Sequence, residues 1–201
     1  MEIEAKFGLP NSITLTKLQS VGQLAGFRVD PPRTSEVHDT YLDTDQQSIL
    51  AAGHFCRRRV IDGQTIITVK SVGPSLDAIH RREELEIVVP SRSAPAKWPE
   101  SPARTLILQI IGDQKLKPLF SLWQSRSARA ICRNDICIAK LSLDRVRVRA
   151  GKKRLSFLEV EAELDQGTGI LPVRFTRSGR RVPTEFPWST RRASPQEWGI
   201  C

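Results

Sequence analysis

Charged residues alternate with apolar residues in several short segments of this chain. The first segment is MEIEAKF, in which Glu2, Glu4 and Lys6 occupy every second position. Because successive side chains of a β-strand point to opposite faces, this spacing predicts strands with one charged face and one apolar face. The same alternation recurs at Arg57 and Arg59, at Arg82, Glu84 and Glu86, at Lys140, Ser142 and Asp144, and at Glu159, Glu161 and Glu163.

These charged faces have two interpretations. A solvated face of an antiparallel sheet explains any one of them. A sheet closed into a barrel, with its polar face inward, would instead bring acidic and basic side chains together. Converging lysine and arginine side chains suit a polyphosphate, and carboxylates beside them suit a divalent cation, because Mg²⁺ and Mn²⁺ take oxygen ligands. The pattern therefore indicates metal-dependent phosphate chemistry.

The elements that would position these residues are mostly strands. Apolar residues at helical spacing from Leu15 to Leu24 predict one helix, and ARTLILQIIG predicts another. Asp62 and Gly63 predict a two-residue hairpin turn. We expect one α+β domain over residues 1–164, dominated by antiparallel strands, and a divergent tail over residues 165–201 that is rich in Gly, Pro and Arg.

Composition narrows the classes of partner and compartment. The 201 residues carry a formal net charge of +9, which favours an anionic partner. No apolar run approaches the roughly 20 residues of a membrane helix, so we expect a cytoplasmic protein without a membrane partner. Nucleic acid is not expected, because the arginines alternate with apolar residues and neighbour glutamates. Oligomeric state is left open, with a homodimer as one option.

The four cysteines show no CxxC pair, which argues against a zinc ribbon or a thioredoxin-like site. Cys132 and Cys137 flank a predicted turn and could face each other across it. We nevertheless expect reduced thiols throughout.

Six segments together resemble the CYTH superfamily, the triphosphate tunnel metalloenzymes. The ExExK signature of that superfamily is matched by Glu2-Ile3-Glu4-Ala5-Lys6. The other similar segments, in order, are YLDTDQQSILAAGHFCRRRV, TIITVK, RREELE, LSLDRV and FLEVEAEL. The resemblance spans residues 1 to about 164 and implies an antiparallel eight-stranded β-barrel with flanking helices.

The resemblance also implies roles for individual residues. The implied metal carboxylates are Glu2, Glu4, Glu159 and Glu161, assisted by Asp144 or Glu84. The implied triphosphate-binding residues are Lys6, Arg57, Arg59, Lys70, Arg82 and Arg126. The implied catalytic residues are Glu2, Glu4, Lys6, Glu159 and Glu161. Glu86 and Glu163 share the parity of the site, and either belong to it or hold the arginines in place.

The implied cofactor is Mg²⁺ or Mn²⁺, and the expected activity is hydrolysis of inorganic triphosphate or a small organic triphosphate. A class IV type of adenylyl cyclase and a non-catalytic polyphosphate-binding protein remain the alternatives. Two departures bear on this choice. Gln124 stands where many relatives have a lysine, and the tail offers Arg191 or Arg192 but no helix to complete the barrel.

Overall fold

The protein is described by a computed structural model. Residues 2–72, 75–76, 79–134 and 136–164 are described, and for residues 2, 75–76 and 79–82 only the backbone is. The predicted tail over 165–201, with Arg191 and Arg192, lies outside the described residues. In chain order the described elements are β1 (Glu2–Leu9), α1 (Ser12–Ser20), β2 (Gln23–Leu24), β3 (Phe27–Val29), β4 (Arg33–Asp43), α2 (Ser48–Ala51), β5 (His54–Ile61), β6 (Gln64–Ser71), β7 (Ser75–Leu76), β8 (Ile79–Arg82), β9 (Glu84–Val88), a 3₁₀ turn (Pro95–Lys97), α3 (Pro102–Ile111), β10 (Lys117–Arg133), β11 (Ile136–Ala150) and β12 (Lys153–Leu164).

All of these strands belong to one antiparallel sheet, and the order along its main path is β7-β8-β1-β12-β11-β10-β4-β5-β6-β9. Strands β8 and β9 lie near opposite ends of this order, yet in the chain only Glu83 separates them. β8 pairs with β1 and β9 pairs with β6, so this stretch of chain joins the two edges of the sheet. With β8 and β9 taken as one strand, and the two-residue β7 left out, the ring has eight members. The predicted α+β class and antiparallel barrel are confirmed.

Apolar side chains on the outward faces of β4, β5, β6 and β9 are covered by helix α3. The N-terminus of α3 is capped by the side chain of Ser101, which accepts a hydrogen bond from the Arg104 amide. Pro102 occupies the first turn of the helix. Ala103, Ile107 and Ile111 of α3 are buried against an apolar cluster that includes Ile67 and Val69 of β6. Because the core lies outside the ring, the polar faces are left to line its interior.

The first helix is shorter than the sequence predicts. It ends at Ser20, and Leu24 instead lies in β2, so the prediction of a helix reaching Leu24 is wrong. Arg129 of β10 explains why the chain turns here. Its buried guanidinium donates hydrogen bonds to the carbonyls of Leu18 and Gln19, at the end of α1, and to those of Val29 and Asp30. These bonds satisfy carbonyls that a helix leaves unpaired at its C-terminus.

The turns follow their residue types. Asp62 and Gly63 both have positive φ, at 49° and 76°, as the predicted two-residue hairpin requires.

The expectation of reduced thiols is wrong for Cys132 and Cys137, which form a disulfide across the β10–β11 hairpin. Cys56 is free and buried. The longest described helix has ten residues, and no helix in the described part of the chain is long and apolar enough to cross a membrane.

Candidate active site

The register of β1, β12 and β11 brings the predicted acidic positions together. Lys6 of β1 lies opposite Glu161 of β12, and Glu159 lies opposite Asp144 of β11. On the far side of β11, Asp144 lies opposite Arg126 of β10. Directly opposed residues in a sheet share one face, so these five side chains all point into the ring.

Asp144, Glu159 and Glu161 form the acidic part of this group. Carboxylate oxygens from all three lie within 4.8 Å of one another. All three residues are buried, and Asp144 has no exposed surface. Three carboxylates this close repel one another unless cations neutralise them.

Two cations of the chain adjoin these acids. The Nζ atom of Lys6 lies 3.0 Å from a carboxylate oxygen of Glu161 and 3.6 Å from one of Glu159. The guanidinium of Arg126 donates to both oxygens of Asp144, with Nη2 to Oδ2 at 2.7 Å, and lies 3.7 Å from Glu161. Glu161 therefore lies between the two cations.

This arrangement separates the pKa values of neighbouring carboxyls. Burial raises the pKa of Glu159 to about 7, with Glu161 adding to the shift and Lys6 opposing it. Burial would also raise the pKa of Glu161, but Lys6 and Arg126 outweigh burial and hold it below its usual range. Burial would lower the pKa of Lys6, whereas the adjacent carboxylates raise it above its usual value. Lys6 and Glu161 are therefore charged at neutral pH.

A second charged group lies on β4, β5, β6 and β9. Arg59 donates two hydrogen bonds of 2.8 Å to the carboxylate of Asp39, one to each oxygen. Arg57 lies 3.9 Å from Asp39 and 3.6 Å from Glu84, and Lys70 lies 3.2 Å from Glu84. Each of these three cations thus has a carboxylate partner.

The two charged groups face a common interior. The charge on Lys70 acts on the pKa of Glu161, and the charge on Arg126 helps to lower the pKa of Asp39. Burial alone would raise the pKa of Asp39, but the hydrogen bonds from Arg59 and the charges of the neighbouring arginines together lower it. Lys70 lies on β6 and Glu161 on β12, which are far apart in the strand order of the sheet. Their interaction therefore supports a closed ring.

The remaining predicted residues have varied positions. The side chains of Glu2 and Arg82 lie outside the described residues, although their backbones pair directly across β1 and β8. Glu4 is buried and helps to raise the pKa of Lys6. Glu84 contacts cations rather than the group of three acids. Glu86 lies 3.6 Å from Arg57 and accepts a hydrogen bond from Thr68, which matches its expected holding role.

Sequence reasoning missed Asp39, which is 2% exposed and holds Arg59. Its strand gave no clear signal, because Asp39 shares one face with its nearest neighbours on that face, Val37 and Tyr41, and neither of them is a charged residue. Gln124 faces the interior as expected, and among the described residues its Oε1 atom has no hydrogen-bond partner.

Residues 1–173 match the family model of the CYTH domain. The chain belongs to the CYTH domain family. A search of the curated proteins found no match.

Two solved structures share the fold of this chain. One is a candidate adenylyl cyclase from Hippeastrum described as revealing a dominant triphosphatase activity, with 20% identity, a TM-score of 0.57, and 81% of this chain and 79% of that chain covered. The other is a candidate adenylate cyclase from Bacillus halodurans, with 20% identity, a TM-score of 0.54, and 81% and 80% covered. At this identity the likeness shows the fold alone.

The donor set of this CYTH domain fits a hard divalent cation. Asp144, Glu159 and Glu161 offer only oxygen atoms, which is the ligand type that Mg²⁺ and Mn²⁺ prefer. Burial is the largest cause of the raised pKa of Glu159, and the negative charge of the adjacent Glu161 and Asp144 adds to it. A bound cation would neutralise that charge.

Proposed function

We propose that this CYTH domain is a metal-dependent hydrolase of inorganic triphosphate or of a small organic triphosphate. The observation that carries the proposal is the buried acidic group of Asp144, Glu159 and Glu161, flanked by Lys6 and Arg126. Acids and bases in one interior suit a substrate that is itself anionic and arrives with a divalent cation.

Individual residues are assigned roles by their charge and position. Lys6, Arg57, Arg59, Lys70 and Arg126 would bind the phosphate oxygens. A Mg²⁺ or Mn²⁺ ion held by Asp144, Glu159 and Glu161 would supply Lewis-acid polarisation of a phosphoryl oxygen. Glu4, buried on the same face, completes the expected acidic set together with Glu2.

The reaction is an in-line displacement at phosphorus. Water attacks the terminal phosphorus, the bridging P–O bond breaks, and pyrophosphate leaves with the electron pair of that bond. The interior carboxylates orient the water and accept its proton, while Lys6 and the arginines stabilise the negative charge that develops on the leaving pyrophosphate.

Phosphate binding requires an exchange of partners. In the described interior Arg59 is bonded to Asp39, Lys70 to Glu84 and Arg126 to Asp144. A triphosphate therefore has to share these cations with carboxylates that repel it. A divalent cation removes part of that repulsion, so we expect metal and triphosphate to bind cooperatively.

Phosphate release tests the proposal. The protein is assayed with inorganic triphosphate, thiamine triphosphate and ATP, in Mg²⁺, in Mn²⁺ and with chelator. We expect turnover that depends on metal, and its loss in Glu161→Gln and Glu4→Gln. Glu100→Gln is the matched control, because the Glu100 side chain is 98% exposed.

Three results would count against hydrolysis. Formation of cyclic AMP from ATP in place of phosphate would indicate a cyclase. Tight binding of polyphosphate without turnover of any substrate would indicate a binding protein. Unchanged turnover in Glu161→Gln would mean that the acidic group is not the active site.

A further inference from the structure

The outer face of the central strands carries a row of arginines that phosphate chemistry inside the ring does not use. Arg145, Arg147 and Arg149 alternate along β11 with the inward-facing residues Asp144, Val146 and Val148. All three arginines are exposed, and so is Arg154, which lies opposite Arg149 on β12. Alternate residues of a strand lie about 6.6 Å apart, so the row presents evenly spaced positive charges.

These arginines lack acidic partners in the described part of the chain. Arg145 bonds to the hydroxyl of Ser12, and Arg149 bonds to the carbonyl of Gly151, each at 3.4 Å. The inner cations differ, because each has a carboxylate within 4 Å. The sequence places glutamates and aspartates near these arginines, but the strand parity sends most of those acids to the opposite face.

Aromatic rings adjoin the arginines on the same face. Trp123 of β10 lies directly opposite Arg147, and His38 of β4 lies directly opposite Trp123. The two rings are stacked, with centroids 4.8 Å apart and planes inclined by 10°. Trp123 is half-exposed. A flat aromatic group beside a row of cations therefore faces outward.

We propose that this outer face, formed by Arg145, Arg147, Arg149, Arg154, Trp123 and His38, binds single-stranded nucleic acid. Proteins that bind single strands combine basic residues that follow the backbone with aromatic rings on which bases stack. The arginine row supplies the first feature and Trp123, backed by His38, supplies the second. An acidic protein or an inorganic polyphosphate would use the arginines but not the ring.

Strand parity also explains why the sequence pattern argued against nucleic acid. Arginines that alternate with apolar residues and neighbour glutamates looked like members of an internal charge network. For Arg57 and Arg59 that interpretation is confirmed by their carboxylate contacts. Arg147 and Arg149 have the opposite parity to the inward-facing Asp144 in β11, so their guanidinium groups lie outside the ring.

Fluorescence anisotropy with a labelled oligothymidylate of 20 nucleotides, ending in a 5′-hydroxyl, tests this proposal. The 5′-hydroxyl leaves no triphosphate for the interior to bind. The double variant R147Q/R149Q should weaken binding roughly tenfold and flatten the slope of log affinity against log salt by about 0.7 for each lost phosphate contact. The matched control K97Q/K115Q removes two exposed charges elsewhere and should leave the slope unchanged.

Trp123→Leu separates stacking from charge. We expect it to weaken binding by roughly fivefold or more without altering the salt slope, and Trp123→Phe to restore most of the affinity. Thermal melting and phosphate release, measured on the same variants, should match those of the wild type.

Several results would overturn the assignment. These are the absence of binding, equal weakening by both double variants, or an unchanged affinity in Trp123→Leu with equal competition by inorganic polyphosphate. The last result would reassign the face to general polyanions. None of these results bears on hydrolysis in the interior, which the phosphate-release assay measures separately.

Discussion

Removing the Asp39 carboxylate tests the charged interior most directly, because Asp39 was identified by the structure and not by sequence. Its two hydrogen bonds to Arg59, both 2.8 Å, are made in a site where Asp39 is 2% exposed. Asp39→Asn retains the shape but leaves Arg59 with an uncompensated charge. Breaking one partner of a buried ion pair costs about 3–5 kcal/mol. At about 2–4 °C per kcal/mol for a chain of this size, Tm should fall by roughly 10 °C.

The pH dependence of this effect follows from the sign of the shift. Arg59 holds the pKa of Asp39 below its usual value, so the stabilisation is present above the unfolded-state pKa and is lost as pH falls through the lower folded-state pKa. The Tm difference between wild type and Asp39→Asn should therefore be full at pH 7 and shrink under acidic conditions. Differential scanning calorimetry across that range measures it.

Two comparisons decide whether the reasoning holds. Asp45→Asn removes an exposed ion pair with Lys117 and should change stability by no more than about 0.5 kcal/mol. The double variant Asp39→Asn with Arg59→Met removes both charges and should be less destabilised than the sum of the single variants. An Asp39→Asn protein that melts with the wild type, or strict additivity in the double variant, would refute the buried pair.

Three further predictions concern residues around the site. Arg129→Met should lower the free energy of unfolding by about 2–4 kcal/mol in urea titrations, because four carbonyl partners are lost, while the KM for triphosphate stays unchanged. Gln124→Met should be neutral or stabilising by about 1 kcal/mol in the same titrations, because Oε1 has no partner among the described residues, and clear destabilisation would show that this atom is bonded. Reducing the Cys132–Cys137 disulfide should cost only about 2 kcal/mol, because the closed loop is short, and matched melts with and without reductant would reveal a larger cost.

Strand parity predicted which strand faces carry the charges of the candidate site, and the reason is physical. Glu159 and Glu161 lie in a strand whose alternate residues are apolar, so a single buried face determines which side chains point inward. Strand β4 gives no such signal. Asp39 and Asp43 share one parity, yet Asp39 binds Arg59 while Asp43 accepts hydrogen bonds from the amides of Ile49 and Leu50 at the start of α2. Parity places a carboxylate on a face, but tertiary contacts decide its partner.

The end of α1 and the disulfide were missed for a related reason. Leu24 continues a helical spacing, but it pairs with Phe27 because Arg129, more than 100 residues later, binds the carbonyls where the helix stops. Contacts between residues so distant in sequence leave no periodic trace in the segment itself. The disulfide likewise depends on register, since Cys132 meets Cys137 only where the β10–β11 pairing shifts at Ile131.

The net charge is explained differently when the inner and outer faces of the ring are considered separately. A charge of +9 suggested an anionic partner, and phosphate inside the ring was the natural candidate. Yet the described inner cations Lys6, Arg59 and Arg126 each contact a carboxylate, so the interior is balanced rather than strongly basic. Among the described residues, Arg147 and its arginine neighbours on the outer face carry positive charge without an acidic partner. The inner charges are therefore suited to position an anion together with a metal ion, and the outer charges to attract a larger polyanion.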